Sequence, residues 1–298
     1  MRLLLFAAVI FQALAFAAGD QSLPEILKSK ISGFQGTVTL YAKNLDKGTV
    51  VDIHGSDPVR TASTIKLPIL CAVFDAVARA QAKWTDMLTV MSAEKVSGSG
   101  VIGSEISDGV QLPLRDVAHL MIVLSDNTAT NMILERFGAD MVNAYLDRAG
   151  LTTTRVMRKI LGGGTPGYSA AGKLAENQKY GLGKSTPRDM VTILERLERG
   201  EIVSAEASAE ILAILKRCQD NTGIRRKTMN MAGVTIANKT GALDALRADV
   251  GVVSSKAGRI AMAIYVDGMP KADWSPDNPG SLLIAELART LVDGMGKK

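Results

Sequence analysis

Histidine and cysteine are scarce in this 298-residue sequence, with two of each, and His54, His119, Cys71 and Cys218 stand far apart. A zinc site draws three or four such ligands from clustered positions, so metal chemistry has little to build on and no metal is expected. Aromatic residues make up only 4% of the chain. No basic run alternates with them, which removes the usual signature of a nucleic-acid surface. The net charge of +5 is scattered, and loss of Arg2 alone would take it from +5 to +4. There is no internal repeat and no low-complexity linker. Beyond the first 18 residues no apolar run approaches the roughly 18 uninterrupted residues of a membrane helix. What remains is ordinary globular composition, 47% hydrophobic and 22% charged, which excludes a disordered, collagenous or polytopic membrane chain. The length suits about two domains of roughly 150 residues.

The opening MRLLLFAAVIFQALAFAA places Arg2 ahead of an apolar run that ends in small residues, the pattern of a signal peptide. Ala15-Phe16-Ala17 fits a small-x-small cleavage site, giving a leader over 1–17 and a mature chain from near Ala18. Ala13-Leu14-Ala15 is a second candidate site, and a retained anchor is a third outcome. The expected location is exported, periplasmic or secreted. Such a compartment permits disulfides, but Cys71 lies in an apolar helical run and Cys218 ends another helix, so buried free thiols and a disulfide both stay open.

TVTLYAKN and TVVDIH, joined by an Asp-Lys-Gly turn between Gly36 and His54, predict a hairpin. Strand-like patterns return only near the C-terminus, at Val234–Thr240, Ala248–Ser255 and Arg259–Val266. Between these ends apolar residues recur at three and four over Leu67–Ala80, Leu114–Leu124, Ala129–Phe137, Arg188–Leu197 and Ala205–Lys216, and again over Leu282–Val292. Thr186-Pro187 with Asp189 reads as a helix start, and Gly200 as a stop. The expected fold is α/β (α+β): an antiparallel sheet flanked by N- and C-terminal helices, with an all-helical domain inserted. The discontinuous α/β domain would take 24–60 plus 220–298, the helical domain 61–219, and the active site the cleft between them. The least regular stretch runs from Gly162 to Lys184.

Three short motifs carry chemistry. Ser63-Thr64-Ile65-Lys66 opens the first long helical run and sets serine and lysine on one face of its first turn. A lysine whose pKa is lowered by burial and neighbouring cations can take the serine proton. Ser92-Ala93-Glu94-Lys95 also matches this spacing, and the plain alternative for Ser63 is a capping serine followed by a solvated lysine. Ser125-Asp126-Asn127 interrupts a helical stretch. A second serine there can relay a proton to a leaving amine, and an asparagine can bond an amide substrate; otherwise Ser125 or Asp126 simply caps the next helix. Lys239-Thr240-Gly241 closes the strand from Val234. It supplies a cation, a hydroxyl for a carboxylate and a close backbone approach, or else only a strand end entering a turn. The Ala242 and Ser63 N–H groups can together form an oxyanion hole.

With all three motifs in this order and context, the chain resembles a class A β-lactamase or a closely related serine hydrolase of the penicillin-recognising superfamily. The resemblance spans roughly Gly36 to the C-terminus and includes SDNTATNMILERFG. It implies a β-lactamase/transpeptidase-like fold, with Ser63 as nucleophile, Lys66 as base and Ser125 as proton donor to the leaving nitrogen. Lys239, Thr240 and Gly241 would hold the substrate carboxylate, Asn127 the side-chain amide, and Ala242 the oxyanion. Arg247 is either a second carboxylate contact or an exposed strand arginine. No cofactor is expected, and the partner is a small molecule, a β-lactam or a D-alanyl peptide, met by a monomer.

One family element is missing. The glutamate that activates the hydrolytic water normally follows a segment like Thr154-Arg155-Val156-Met157-Arg158, and that register gives Ile160, then three glycines. From Leu151 to Thr186 the only acid is Glu176, which would serve only if the loop carries an insertion, and is otherwise a solvated loop residue. Three functions remain: β-lactam hydrolysis through an acyl-serine, a D-alanyl peptidase or other amide or ester hydrolase, and a sensor that stays acylated. The compact length and the helical insert favour the first over larger transpeptidases, and the missing glutamate favours the other two. A phosphate loop at Gly181–Ser185 fails because Gln178 holds its leading glycine position. A Ser-His-Asp triad fails because neither His54 nor His119 has a serine elbow to serve.

Overall fold

The computed structural model describes residues 21–162, 164–256 and 258–296, and the leader read at 1–17 lies outside them. A five-stranded antiparallel sheet joins the two ends of the chain in the order Val50–Ile53, Thr37–Asn44, Gly258–Asp267, Leu246–Ser255, Thr235–Leu243. The N-terminal hairpin docks on the C-terminal meander in unbroken register, from Thr37 opposite Asp267 to Asn44 opposite Ile260.

Side chains alternate across a strand, and here both faces are covered. Ile260, Met262, Ile264 and Val266 pack with Leu27, Leu287 and Leu291 of the Leu23–Ile31 and Pro279–Met295 helices. Ala261, Ala263 and Tyr265 point the other way, into the larger core with Leu70, Val191 and Met121. Burial on both sides is why the run IAMAIYV, Ile260 to Val266, does not alternate with charged or strongly polar residues. The Lys66–Ala78 helix sits inside that larger core, buried along most of its length. Around it lie the helices Leu114–Val123, Asn127–Phe137, Ala139–Arg148, Pro187–Glu198 and Ala205–Lys216.

The expected elements recur with shifted ends. Thr186 caps its helix by accepting the Asp189 N–H, and Gly200 follows it at φ +73°. The helix read from Leu67 starts at Lys66, after a 3-10 turn over Ala62–Ile65. The Ala139–Arg148 helix was not expected; it begins after Gly138, at φ +77°. Lys239-Thr240-Gly241 does not end its strand: Gly241, Ala242 and Leu243 still pair with Ala248, Arg247 and Leu246. Cys71 and Cys218 are free and buried, so the disulfide does not form, and burial pushes the Cys71 thiol up to about 12. Among the described residues no helix is long and apolar enough to cross a membrane.

One buried carboxylate stitches the helical part together. Asp126 caps the Asn127–Phe137 helix through the Ala129 N–H at 2.8 Å, while its other oxygen accepts Val101 N–H at 2.7 Å and Ile102 N–H at 2.9 Å. A Cβ on Gly100 would meet the Asp126 carboxyl carbon at 2.2 Å, so only glycine permits this approach. Asp126→Ala leaves three amides without their acceptor and is expected to lower stability by about 3 kcal/mol in urea unfolding, with Asp126→Asn losing less because one oxygen remains.

Candidate active site

Ser63 lies in the Ala62–Ile65 turn, and its hydroxyl bonds no described residue. The turn is anchored to the sheet by Thr64, whose hydroxyl donates to Thr61 O at 2.8 Å and meets the Tyr265 hydroxyl at 2.9 Å. One helical turn begins there, and it carries Lys66 inward. The Lys66 ammonium is fully buried and donates to Ser125 O at 2.7 Å, Asn127 Oδ1 at 2.9 Å and Ser125 Oγ at 3.2 Å. Lys239, also fully buried, reaches Ser125 Oγ at 3.0 Å and Thr240 O at 2.8 Å. Ser125 takes the left-handed φ of +54° that sets both its carbonyl and its hydroxyl toward the lysines. The structure therefore brings Ser63, Lys66, Ser125, Asn127, Lys239, Thr240, Gly241 and Ala242 to one cleft.

Two buried cations so close cannot keep ordinary pKa values. Burial first, and then the Lys239 charge, hold Lys66 well below the usual lysine range. Burial lowers Lys239 too, opposed by Cys218, Asp220 and Asp249. Asp249 stands opposite Thr240 in the sheet, fully buried, accepting Ile224 N–H at 2.8 Å and Asn238 Nδ2 at 3.0 Å. Burial raises it to about 7.

The Thr235–Leu243 strand passes very near the serine turn. A Cβ at Gly241 would lie 2.8 Å from Thr61 O and 3.1 Å from the Ser63 and Thr64 nitrogens, all backbone atoms that cannot swing aside. Asn127 is held at both ends, its Oδ1 by Lys66 and its Nδ2 by Ser97 O at 3.1 Å. Arg247 is not an exposed strand arginine. It is buried, donates to Leu243 O, Leu246 O and Asp273 O, and stacks 4.8 Å from the Trp274 ring centre. Its strand position turns it under the Leu243–Leu246 hairpin, where carbonyls take up its donors.

The decoy pair is elsewhere: Ser92 and Lys95 both bond Asp108 on the surface. His119 is half-buried beside Arg217, and burial pushes it down to about 4. Ile160 lines the same cavity of about 360 Å³ as Ser63. Asn131 clamps it, accepting its N–H at 2.8 Å and donating to its carbonyl at 3.1 Å. Lys159 beside it is buried and bonds both Glu94 and Glu135. Glu176 is exposed on the Ala175–Tyr180 turn and does not line the cavity, whereas Gln178, Lys179 and Tyr180 of that turn do. No carboxylate is among the described residues that line it, and no three His, Cys, Asp or Glu among the described residues gather as a metal cluster. The clamp by Asn131 escaped the sequence reading, although its place one helical turn after Asn127 puts both on one face.

A sequence profile of the beta-lactamase enzyme family matches residues 22–295. No curated protein matches the chain. Among solved structures, a β-lactamase from Sphaerobacter thermophilus is 27% identical, with TM-score 0.78 over 92% of this chain and 97% of its own. PBP-A is 30% identical, with TM-score 0.77 over 91% and 94%. A variant of PBP-A, equally similar, is an acyl-enzyme complex with penicillin G. A class A β-lactamase from Mycobacterium abscessus, 20% identical, shares the fold with TM-score 0.77 over 92% and 100%.

Because Gly241 abuts backbone, Gly241→Ala must push the strand and the serine turn apart. Covalent labelling of Ser63 by a penicillin is expected to slow by about 10²-fold, the usual result of an ångström-scale misplacement, while circular dichroism stays that of the parent.

Proposed function

The chain belongs to the beta-lactamase enzyme family, and from that premise we propose that it is a serine hydrolase that acylates Ser63 with β-lactams and D-alanyl peptides and releases the β-lactam acyl group slowly. The observation that carries this reading is Ile160, an apolar side chain held in the Ser63 cavity, with no carboxylate lining it. General-base assistance is typically worth about 10² to 10⁴ in rate, and the water that must cleave the acyl ester lacks a carboxylate to supply it.

The first half-reaction is well provided for. Neutral Lys66 takes the Ser63 proton as Oγ bonds to the carbonyl carbon, and the Ser63 and Ala242 amides receive the oxyanion. Collapse breaks the C–N bond, Ser125 passes its proton to the departing nitrogen, and the lysines bonded to Ser125 Oγ restore it. Lys239 and Thr240 receive the substrate carboxylate. Arg247 has three carbonyls on its guanidinium, so its part is to brace the hairpin beside Thr240. Export to the cell envelope, action as a monomer and independence of any cofactor complete the proposal. A second reading, efficient β-lactam hydrolysis, is favoured by Lys66, whose lowered pKa leaves a base that water as well as Ser63 can use.

An intact-mass time course with benzylpenicillin decides between them. One persistent equivalent of adduct, absent from Ser63→Ala, is expected; many equivalents of product from the parent protein would establish the second reading, and adduct on Ser63→Ala would remove the nucleophile. Ile160→Glu places a carboxylate in the cavity and is expected to speed adduct release by about 10²-fold.

The acylation rate should also rise with pH as Lys66 loses its proton, with a midpoint below the usual lysine range. Since the Lys239 charge is one cause of that lowering, Lys239→Gln raises the Lys66 pKa, and stopped-flow profiles should show the rising limb moved to higher pH.

A further inference from the structure

Two cavities meet at Ala242 of the Thr235–Leu243 strand. One is lined by Thr240, Arg247 and Trp274, the other by Ser63, Asn127 and Ile160. A substrate whose carbonyl lies between Ser63 and the Ala242 amide, with its carboxylate toward Lys239 and Thr240, must send its acyl substituent into the second cavity.

That second cavity has an unusual charge balance. Arg60, Arg158 and Lys179 line it together with Leu161, Tyr180 and Leu243, and no aspartate or glutamate is among the described residues that do. Arg60 is neutralised by Asp267, which it binds through two nitrogens. Arg158 has no such partner among the described residues: its Nη1 donates to Lys159 O at 2.8 Å, and its Nη2 comes within 3.8 Å of where a Cβ on Gly181 would stand. Half-buried, its guanidinium is pushed down by loss of solvent, with no carboxylate to offset that. Lys179 is also without an acidic partner among the described residues, its ammonium 5.2 Å from the Tyr180 ring centre, and Lys184 flanks the same ring at 5.3 Å. The half-buried Arg158 guanidinium, with the exposed Lys179 ammonium beside it, gains from an anion brought by the ligand into this cavity.

We infer that this pocket selects acyl donors bearing a second carboxylate on the acyl side of the scissile amide, with Arg158 and Lys179 as its receptors. The inference rests on acylation at Ser63 and names the substrate class for it: anionic acyl donors, such as a peptide with a free side-chain carboxylate next to the cleaved bond. Arg158 and Lys179 arrive from different segments, the Arg155–Val156 strand exit and the Ala175–Tyr180 turn, so the pocket depends on both keeping their places.

Benzylpenicillin and carbenicillin form a matched pair, the second carrying one added carboxylate on the acyl side-chain carbon. Second-order acylation constants, read by intact mass at low salt, are expected to favour carbenicillin by about tenfold, the worth of one charge-assisted contact. The ratio should fall toward one in Arg158→Gln, fall in part in Lys179→Gln, and shrink as sodium chloride is raised. Taking the ratio cancels any general slowing from a disturbed loop. A parent ratio of one or less, or a ratio unchanged in both variants, would overturn the inference while leaving acylation intact. No adduct with either compound would instead overturn the acyl-serine chemistry, and the inference with it.

Discussion

Two buried lysines sharing one serine hydroxyl are the constraint on which the rest of the site depends. Lys66 and Lys239 come from a helix and a strand far apart in the chain, and both reach Ser125 Oγ. Neither has a carboxylate in contact among the described residues, and both are out of water, so like charge and desolvation act together against two full ammonium ions. The balance is met by carbonyl and amide oxygens of Ser125, Asn127 and Thr240, which accept hydrogen bonds without restoring full charge. The result is an amine held below its ordinary pKa three residues along the chain from a serine whose hydroxyl bonds no described residue.

Each part of the scaffold serves that placement. Ser125 is held in the left-handed region while its neighbour Asp126 binds three amides. Gly241 lets the strand touch the serine turn, and Tyr265 ties that turn to the sheet through Thr64. The loop under the cavity is equally firm, with Ile160 bonded twice to Asn131 and Lys159 buried between two glutamates. On the proposed chemistry, the same rigid frame equips acylation and deacylation unequally. The isoleucine is a built feature, not a slack loop awaiting a glutamate.

Much of this was legible in the sequence because it is local. Ser63 and Lys66, one turn apart, and Ser125-Asp126-Asn127 at a break in helical period declare themselves by spacing, and the strands at both chain ends foretold a closed sheet. The strand through Lys239 was read too short, since Gly241 looks like a stop until its pairing with Ala248 is seen. Of the two readings of Arg247, exposure is the one that fails, and for a similar reason: the Asp273 carbonyl that takes one of its donors is 26 residues away. Lys159 and Glu94 are 65 residues apart, and such a contact leaves no periodic trace. The cationic pocket wall was likewise hidden, because Arg60, Arg158 and Lys179 are ordinary basic residues until the fold gathers them.

Asp249 carries a consequence for the whole molecule. A carboxyl raised to about 7 in the folded chain and near 4 when unfolded holds its proton only in the folded form across that interval. Its contribution to stability is therefore complete only below about 4, falls as the pH climbs through that interval, and is gone above about 7. Lys66 runs the other way, since its useful form is the one that has given up a proton. At Asp249 the folded form gains toward acid, while the base proposed at Lys66 gains toward alkali, so two buried groups of one site titrate in opposed senses.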